Sequence, residues 1–226
     1  MTEPRIAAAL TDDQSVGLKS SEAMVDFWEI RMDLIGANWS GVIKEISRPW
    51  VACNRSQAEG GRGQADEVTR VNELFQGLEA GAAIVDIELS SPLLSKVVPI
   101  IKKKAQCLIS YHNYKETPSL DILNIIAHRQ KEAGADICKI VTTAHSMDDN
   151  LILLKLIRQN PDLRIVAFAM GAEGRLSRVL SPLAGAYFTF ASLGAGKESA
   201  SGQMAAAEMR EIYRLINQKA KTDQEY

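Results

Sequence analysis

A lysine in the middle of an apolar run, Ile137-Cys138-Lys139-Ile140-Val141, is the residue whose setting most invites chemistry. Taking an ammonium out of water is costly, so a lysine there has either a lowered proton affinity or a charged partner. A desolvated amine near other cations is a nucleophile suited to ketones. Arg31 and Arg55, each near the end of another short apolar run, would supply that cationic field. The iminium that forms draws electrons and makes the neighbouring C–H bond acidic. His112, closing Ser110-Tyr111-His112, is placed to take such a proton near neutral pH. Glu88, closing Asp86-Ile87-Glu88, would orient the imidazole and stabilise its charged form. Lys139, His112 and Glu88 are therefore the expected catalytic set.

Each of these residues also has a plainer explanation. A single histidine after a strand is commonly a hydrogen-bonded surface group. Glu29 and Arg31 share one face of their run and would make a structural ion pair, and Asp86 and Glu88 would serve as a cap acceptor and a surface acid. The lysine is the hardest to dismiss. The iminium route needs neither metal nor organic cofactor, and histidines spread over positions 112, 128 and 145 do not form a metal-ligand motif.

These groups must be held by regular elements. Eight β-like runs alternate with longer helical patterns: 6–10, 25–32, 50–54, 83–89, 106–111, 136–141, 164–169 and 186–190. Apolar residues recur at helical spacing over 66–80, 119–133, 146–158 and 201–217, with Asp66 and Ser146 as start signals. The segments after the first two runs carry the weakest helical pattern. About 28 residues per strand-and-helix unit over 226 residues predicts an α/β fold, a single-domain (β/α)8 barrel of the TIM type spanning 1–226. An open doubly wound sheet is the alternative. In a barrel, ionisable groups at consecutive strand ends converge on one mouth.

Composition is that of an ordinary globular protein, 46% hydrophobic and 24% charged, with a formal net charge of −2. Nothing in it favours nucleic acid or an anionic membrane as a partner. The first residues, Met1-Thr2-Glu3-Pro4-Arg5, are too polar for a secretion signal, and no apolar run reaches membrane-span length. Cys53, Cys107 and Cys138 lie in apolar runs without zinc-ligand spacing, which predicts buried free thiols and a reducing cytoplasm. Gly194-Ala195-Gly196-Lys197-Glu198 lacks the spacing and the hydroxyl residue of a phosphate loop and reads as a flexible lid. The run Lys102-Lys103-Lys104 reads as the solvated end of a helix, and His128 and His145 as surface residues.

Several segments together resemble type I 3-dehydroquinate dehydratase. They are Glu29-Ile30-Arg31-Met32-Asp33, Arg55 with Glu59-Gly60-Gly61, Asp86-Ile87-Glu88-Leu89, Ser110-Tyr111-His112-Asn113-Tyr114 with Thr117-Pro118, and Ala135-Asp136-Ile137-Cys138-Lys139-Ile140. Met170-Gly171 through Ser177-Arg178, and Ser199-Ala200-Ser201-Gly202-Gln203, complete the series. The motifs run in the family's order from about residue 27 to residue 203. The resemblance implies a cofactor-free lyase that converts 3-dehydroquinate to 3-dehydroshikimate by syn elimination in the shikimate pathway. It implies Lys139 as the Schiff-base lysine, His112 as the general acid/base and Glu88 as its support. It further implies Glu29, Arg31 and Arg55 around the substrate hydroxyls and the lysine, and Met170 and Phe190 as pocket walls. Arg178 would hold the substrate carboxylate, and Ser199 and Gln203 would form the lid. It also suggests a homodimer. One departure stands in the lid: Ser201 occupies the family's usual proline position, which predicts a more mobile open lid. A class I aldolase sharing Lys139, and a barrel that only binds a small acid, remain alternatives.

Overall fold

The strands are buried on both faces, as a parallel sheet covered by helices demands. A computed structural model describes residues 3–13, 18–63, 65–194 and 196–222. Met1, Thr2 and Ala195, on which parts of the sequence reading fall, lie outside them. The eight strands are β1 (Ile6–Leu10), β2 (Phe27–Arg31), β3 (Trp50–Cys53), β4 (Ile84–Glu88), β5 (Gln106–His112), β6 (Ile137–Thr143), β7 (Ile165–Met170) and β8 (Thr189–Ala191). Each pairs in parallel with its sequence neighbours from β1 to β7, and β1 also pairs with β8. The seam between β7 and β8 is closed by Tyr187 N donating to Ile165 O at 2.7 Å. This is a nearly closed (β/α)8 barrel.

Among the described residues, six longer helices lie on its outside: α1 (Glu67–Glu79), α2 (Leu94–Ile101), α3 (Leu120–Glu132), α4 (Met147–Gln159), α5 (Arg175–Ala184) and α6 (Ala206–Thr222). Asp66 caps α1 by accepting from Thr69 N at 3.0 Å, and Ser146 with Asp149 closes a capping box on α4. Among the described residues, the chain makes single helical turns after β1 and β2. The last helix starts later than its apolar spacing predicts, because residues 199–203 form a turn over the barrel mouth instead. β8 is likewise shorter and shifted by three residues at its start. The Lys102–Lys104 run follows α2 as expected, with Lys102 on Asp136 and Lys104 on Glu79.

Strand parity decides which side chains reach the interior. Ile137, Val141, Val51, Ile84, Leu108 and Val166 belong to an apolar cluster inside the barrel. Cys138, Ile140, Ala52, Val85 and Ile109, their alternates, belong to the layer between sheet and helices. Lys139 has the parity of Ile137 and Val141, so it points inward. Glu29, Arg31, Cys53, Asp86, Glu88, Ser110 and His112 obey the same rule. All three cysteines are free and buried, as their apolar settings predict. Among the described residues no helix is long and apolar enough to cross a membrane.

A tight loop follows β3. Gly60 has φ +84°, and a Cβ on Gly61 would lie 1.8 Å from Arg55 O. Because that neighbour is backbone, Gly61→Ala is expected to cost roughly 1–3 kcal/mol in urea unfolding. Wild-type stability would show that the loop does not fold back on the strand in this way.

Candidate active site

Lys139 Nζ lies between two carboxylates, 3.0 Å from Asp86 Oδ2 and 3.1 Å from Glu29 Oε1, and 4.1 Å from the centre of the Phe190 ring. Burial pushes the ammonium toward losing its proton, but Asp86 and then Glu29 outweigh it and raise its proton affinity above the ordinary value. This corrects the expectation of a free amine in a cationic field. The two arginines are engaged elsewhere. Arg55 Nη2 sits 2.5 Å from Asp86 Oδ2 and its Nη1 3.0 Å from Glu88 Oε1. Arg31 is bidentate on Asp33, at 2.9 and 2.7 Å. Asp86, inward on β4, is thus shared by Arg55 and Lys139. Glu29, Cys53 and Asp86 also bring potential metal-ligand atoms within 4.8 Å of one another. The lysine ammonium already bridges the two acids, and burial holds the Cys53 thiol protonated, so this cluster is a cradle for the lysine.

The second correction concerns the histidine. Glu59, from the loop after β3, is its carboxylate partner: Oε2 lies 2.8 Å from His112 Nδ1 and accepts His112 N–H at 3.1 Å. Glu88 faces inward as expected, but it binds Arg55, Ser56 N at 2.9 Å and Arg70 at 2.8 Å. Parity predicts the face of Glu88 but not its neighbours, and the Gly60-Gly61 turn is what throws Glu59 back over the mouth. That acid followed by two glycines was the available signal. Burial, followed by the positive charges of Arg55 and Lys139, holds the imidazole well below its ordinary proton affinity. A neutral ring that donates Nδ1–H to Glu59 keeps a lone pair on Nε2. Tyr114 stacks on the ring and donates its hydroxyl to Glu59 O at 3.0 Å.

Arg178 comes from α5 rather than from a strand. It is fully buried and lies 4.4 Å over the Phe168 ring. Its Nη2 reaches Ser201 O at 3.4 Å, while Nε and Nη1 have no hydrogen-bond partner among the described residues. Burial pulls its pKa down to about 9, which leaves it charged at neutral pH. In the lid, Gln203 Oε1 accepts from Ser199 N at 2.7 Å and Gln203 Nε2 donates to Ser199 Oγ at 3.0 Å. Ser201 adds a tether that proline would lack, its Oγ accepting from Gly171 N at 3.2 Å. Lys197 in the preceding loop pairs with Asp12, and His128 and His145 lie outside the site.

One cavity of about 420 Å³, its open mouth included, gathers these groups. Lys139, His112, Glu59, Glu29, Arg31 and Arg55 form its polar side, and Arg178, Met170, Phe190, Ser199 and Gln203 are among the groups that complete the lining. Asp86 and Glu88 stand behind this lining.

Residues 6–220 match the family model described as Type I 3-dehydroquinase. The chain belongs to that family. It is 45% identical over 218 residues to a 3-dehydroquinate dehydratase of Dehalococcoides mccartyi, covering 96% of this chain and 98% of that one. A solved 3-dehydroquinate dehydratase structure from Aquifex aeolicus is 32% identical, with a TM-score of 0.78 over 92% of this chain and 96% of that one. One from Geobacillus kaustophilus shares the fold at 24% identity, with a TM-score of 0.83 over 96% and 92%. Membership in the type I 3-dehydroquinase family agrees with the barrel and with a pocket built at the C-terminal ends of its strands.

The neutral, Glu59-bound imidazole has a direct consequence. An NMR titration of His112 is expected to show a midpoint below the ordinary 6.5, the ring gaining its proton only as pH falls. Glu59→Gln removes a negative charge and should lower the midpoint further. A wild-type midpoint at or above 6.5 would contradict the arrangement.

Proposed function

We propose that this chain dehydrates 3-dehydroquinate to 3-dehydroshikimate through a Schiff base on Lys139, with His112 as general acid and base. The observation that carries this reading is Arg178. A buried guanidinium with two unpartnered nitrogens shares a cavity with an inward-facing lysine. A ligand with a ketone at one end and a carboxylate at the other satisfies both groups. An aldolase would use the lysine but has no comparable need for the arginine.

Glu29 touches Nζ and faces the cavity, so it takes the ammonium proton when substrate displaces bulk water. The free amine adds to the C3 ketone and loses water to give the iminium. His112 Nε2 removes the C2 proton, and the C–H electron pair moves into the iminium to form an enamine. The enamine collapses as the C1 hydroxyl leaves with a proton from the same imidazole. Glu59 stabilises the intervening imidazolium. Hydrolysis of the product iminium frees the lysine, so the net change is loss of one water. Arg31 and Arg55 order the polar wall, Met170 and Phe190 fill against the ring, and Ser199 with Gln203 closes the mouth. We also read the enzyme as a cytoplasmic homodimer, a state that analytical ultracentrifugation tests.

Borohydride added with 3-dehydroquinate is expected to fix covalent mass on Lys139, and Lys139→Ala to remove both adduct and turnover with the fold intact. His112→Ala should slow turnover by roughly 10²–10⁴-fold while still permitting the adduct. Recovery of the mass on another peptide, or normal turnover by His112→Ala, would refute the assignment. Arg178→Ala should weaken substrate binding by about 10- to 100-fold, the range for a hydrogen-bonded charge. Unchanged affinity would remove the carboxylate clamp.

A further inference from the structure

Behind the cavity wall the buried charges continue past the groups that the reaction steps use. Arg70, on α1, is buried and does not line the catalytic cavity. Its Nη1 lies 2.8 Å from Glu88 Oε2 and donates to Asn54 O at 2.6 Å, while its Nε and Nη2 bind Glu67, each at 3.0 Å. Glu88 Oε1 in turn holds Arg55 Nη1, and Arg55 Nη2 holds Asp86, which holds Lys139. The order Glu67, Arg70, Glu88, Arg55, Asp86, Lys139, Glu29 alternates in sign, and the partly exposed Glu67 ends it toward the surface.

We propose that Arg70 is a positioning residue for Lys139, acting through Glu88 and Arg55. The inference rests on the reading of Lys139 as the Schiff-base nucleophile. Arg55 is a single guanidinium between two acids, and it divides its fork between Asp86 and Glu88. Arg70 supplies Glu88 with a second cation, so Arg55 stays committed to Asp86. Without Arg70, Glu88 holds an uncompensated charge and draws Arg55 toward itself. Asp86 then falls more fully to Lys139, and the ammonium is harder to deprotonate. Without the Glu88 charge, the interior gains a net positive charge and the ammonium loses its proton more readily.

The other groups facing Lys139 stay in place under both changes. They are Glu29 from β2, Cys53 from β3, His112 from β5 and the Phe190 ring from β8. Neither substitution touches the substrate cavity directly. The two therefore predict opposite movements of one titration, whereas a purely structural role would move both the same way or neither.

Competitive labelling with acetic anhydride, read by mass spectrometry at Lys139 across pH, reports its proton affinity without substrate. Arg70→Met is expected to move the midpoint alkaline by about one pH unit, and Glu88→Gln to move it acid by a similar amount. Arg70→Met/Glu88→Gln, which removes both members of the buried pair and leaves only the partly exposed Glu67 without its cation, should return it toward wild type, and Arg70→Lys should hold it there. If Arg70→Met does not fold, Glu88→Gln measured against the double variant carries the same comparison. Midpoints that stay fixed, or that move in the same direction in both single variants, overturn the proposal. Failure of borohydride to fix substrate on wild-type Lys139 would instead remove the Schiff-base reading and leave the labelling result standing.

Discussion

The site depends on one constraint: an amine buried inside the barrel must be matched by negative charge. Asp86 and Glu29 meet it from β4 and β2, on either side of β3, and they hold Lys139 as an ammonium. Each acid then needs its own partner. Asp86 shares Arg55, Arg55 shares Glu88, and Glu88 requires Arg70. A buried ion pair alone contributes little to stability, because desolvation offsets attraction. What this network contributes is position: the Lys139 ammonium is fixed at the cavity wall between Asp86 and Glu29.

The same low-dielectric interior acts in opposite directions on two titratable groups. Burial and nearby cations keep His112 neutral, whereas Lys139 is held charged by its carboxylates. Titratable groups pushed apart in this way are a pattern found at acid–base sites. Arg178 completes the pattern from outside the barrel wall. Its helix delivers to the cavity lining a cation with two nitrogens unpartnered among the described residues, and the turn at 199–203 covers it through Ser201.

Much of this was legible in the sequence because the inward and outward faces of a strand alternate with period two. The position of Lys139 in Ile-Cys-Lys-Ile-Val predicts an inward side chain, and the strand ends at Glu29, Arg31, Glu88 and His112 converge as parity requires. Pairing between strands was not legible. Arg31 and Arg55 looked like a cationic field because a sequence does not show that Asp33 and Asp86 neutralise them. Glu88 looked like the partner of His112 because both close inward strand ends. Glu59 came instead from a loop whose direction is set by two glycines rather than by periodicity. Asp86, though on the correct face, was read only as a cap or surface acid beside Glu88. The start of α6 was misread because the apolar spacing of the helix extends into a turn whose hydrogen bonds go to the lid.

The most direct measurement is the ¹⁵N spectrum of the Lys139 side chain in the free protein, followed across pH with lysine-labelled material. The account predicts an ammonium signal that persists beyond the ordinary lysine range, above 10.5. A neutral amine signal near neutral pH would contradict it, because the carboxylates around the nitrogen would then not be its partners.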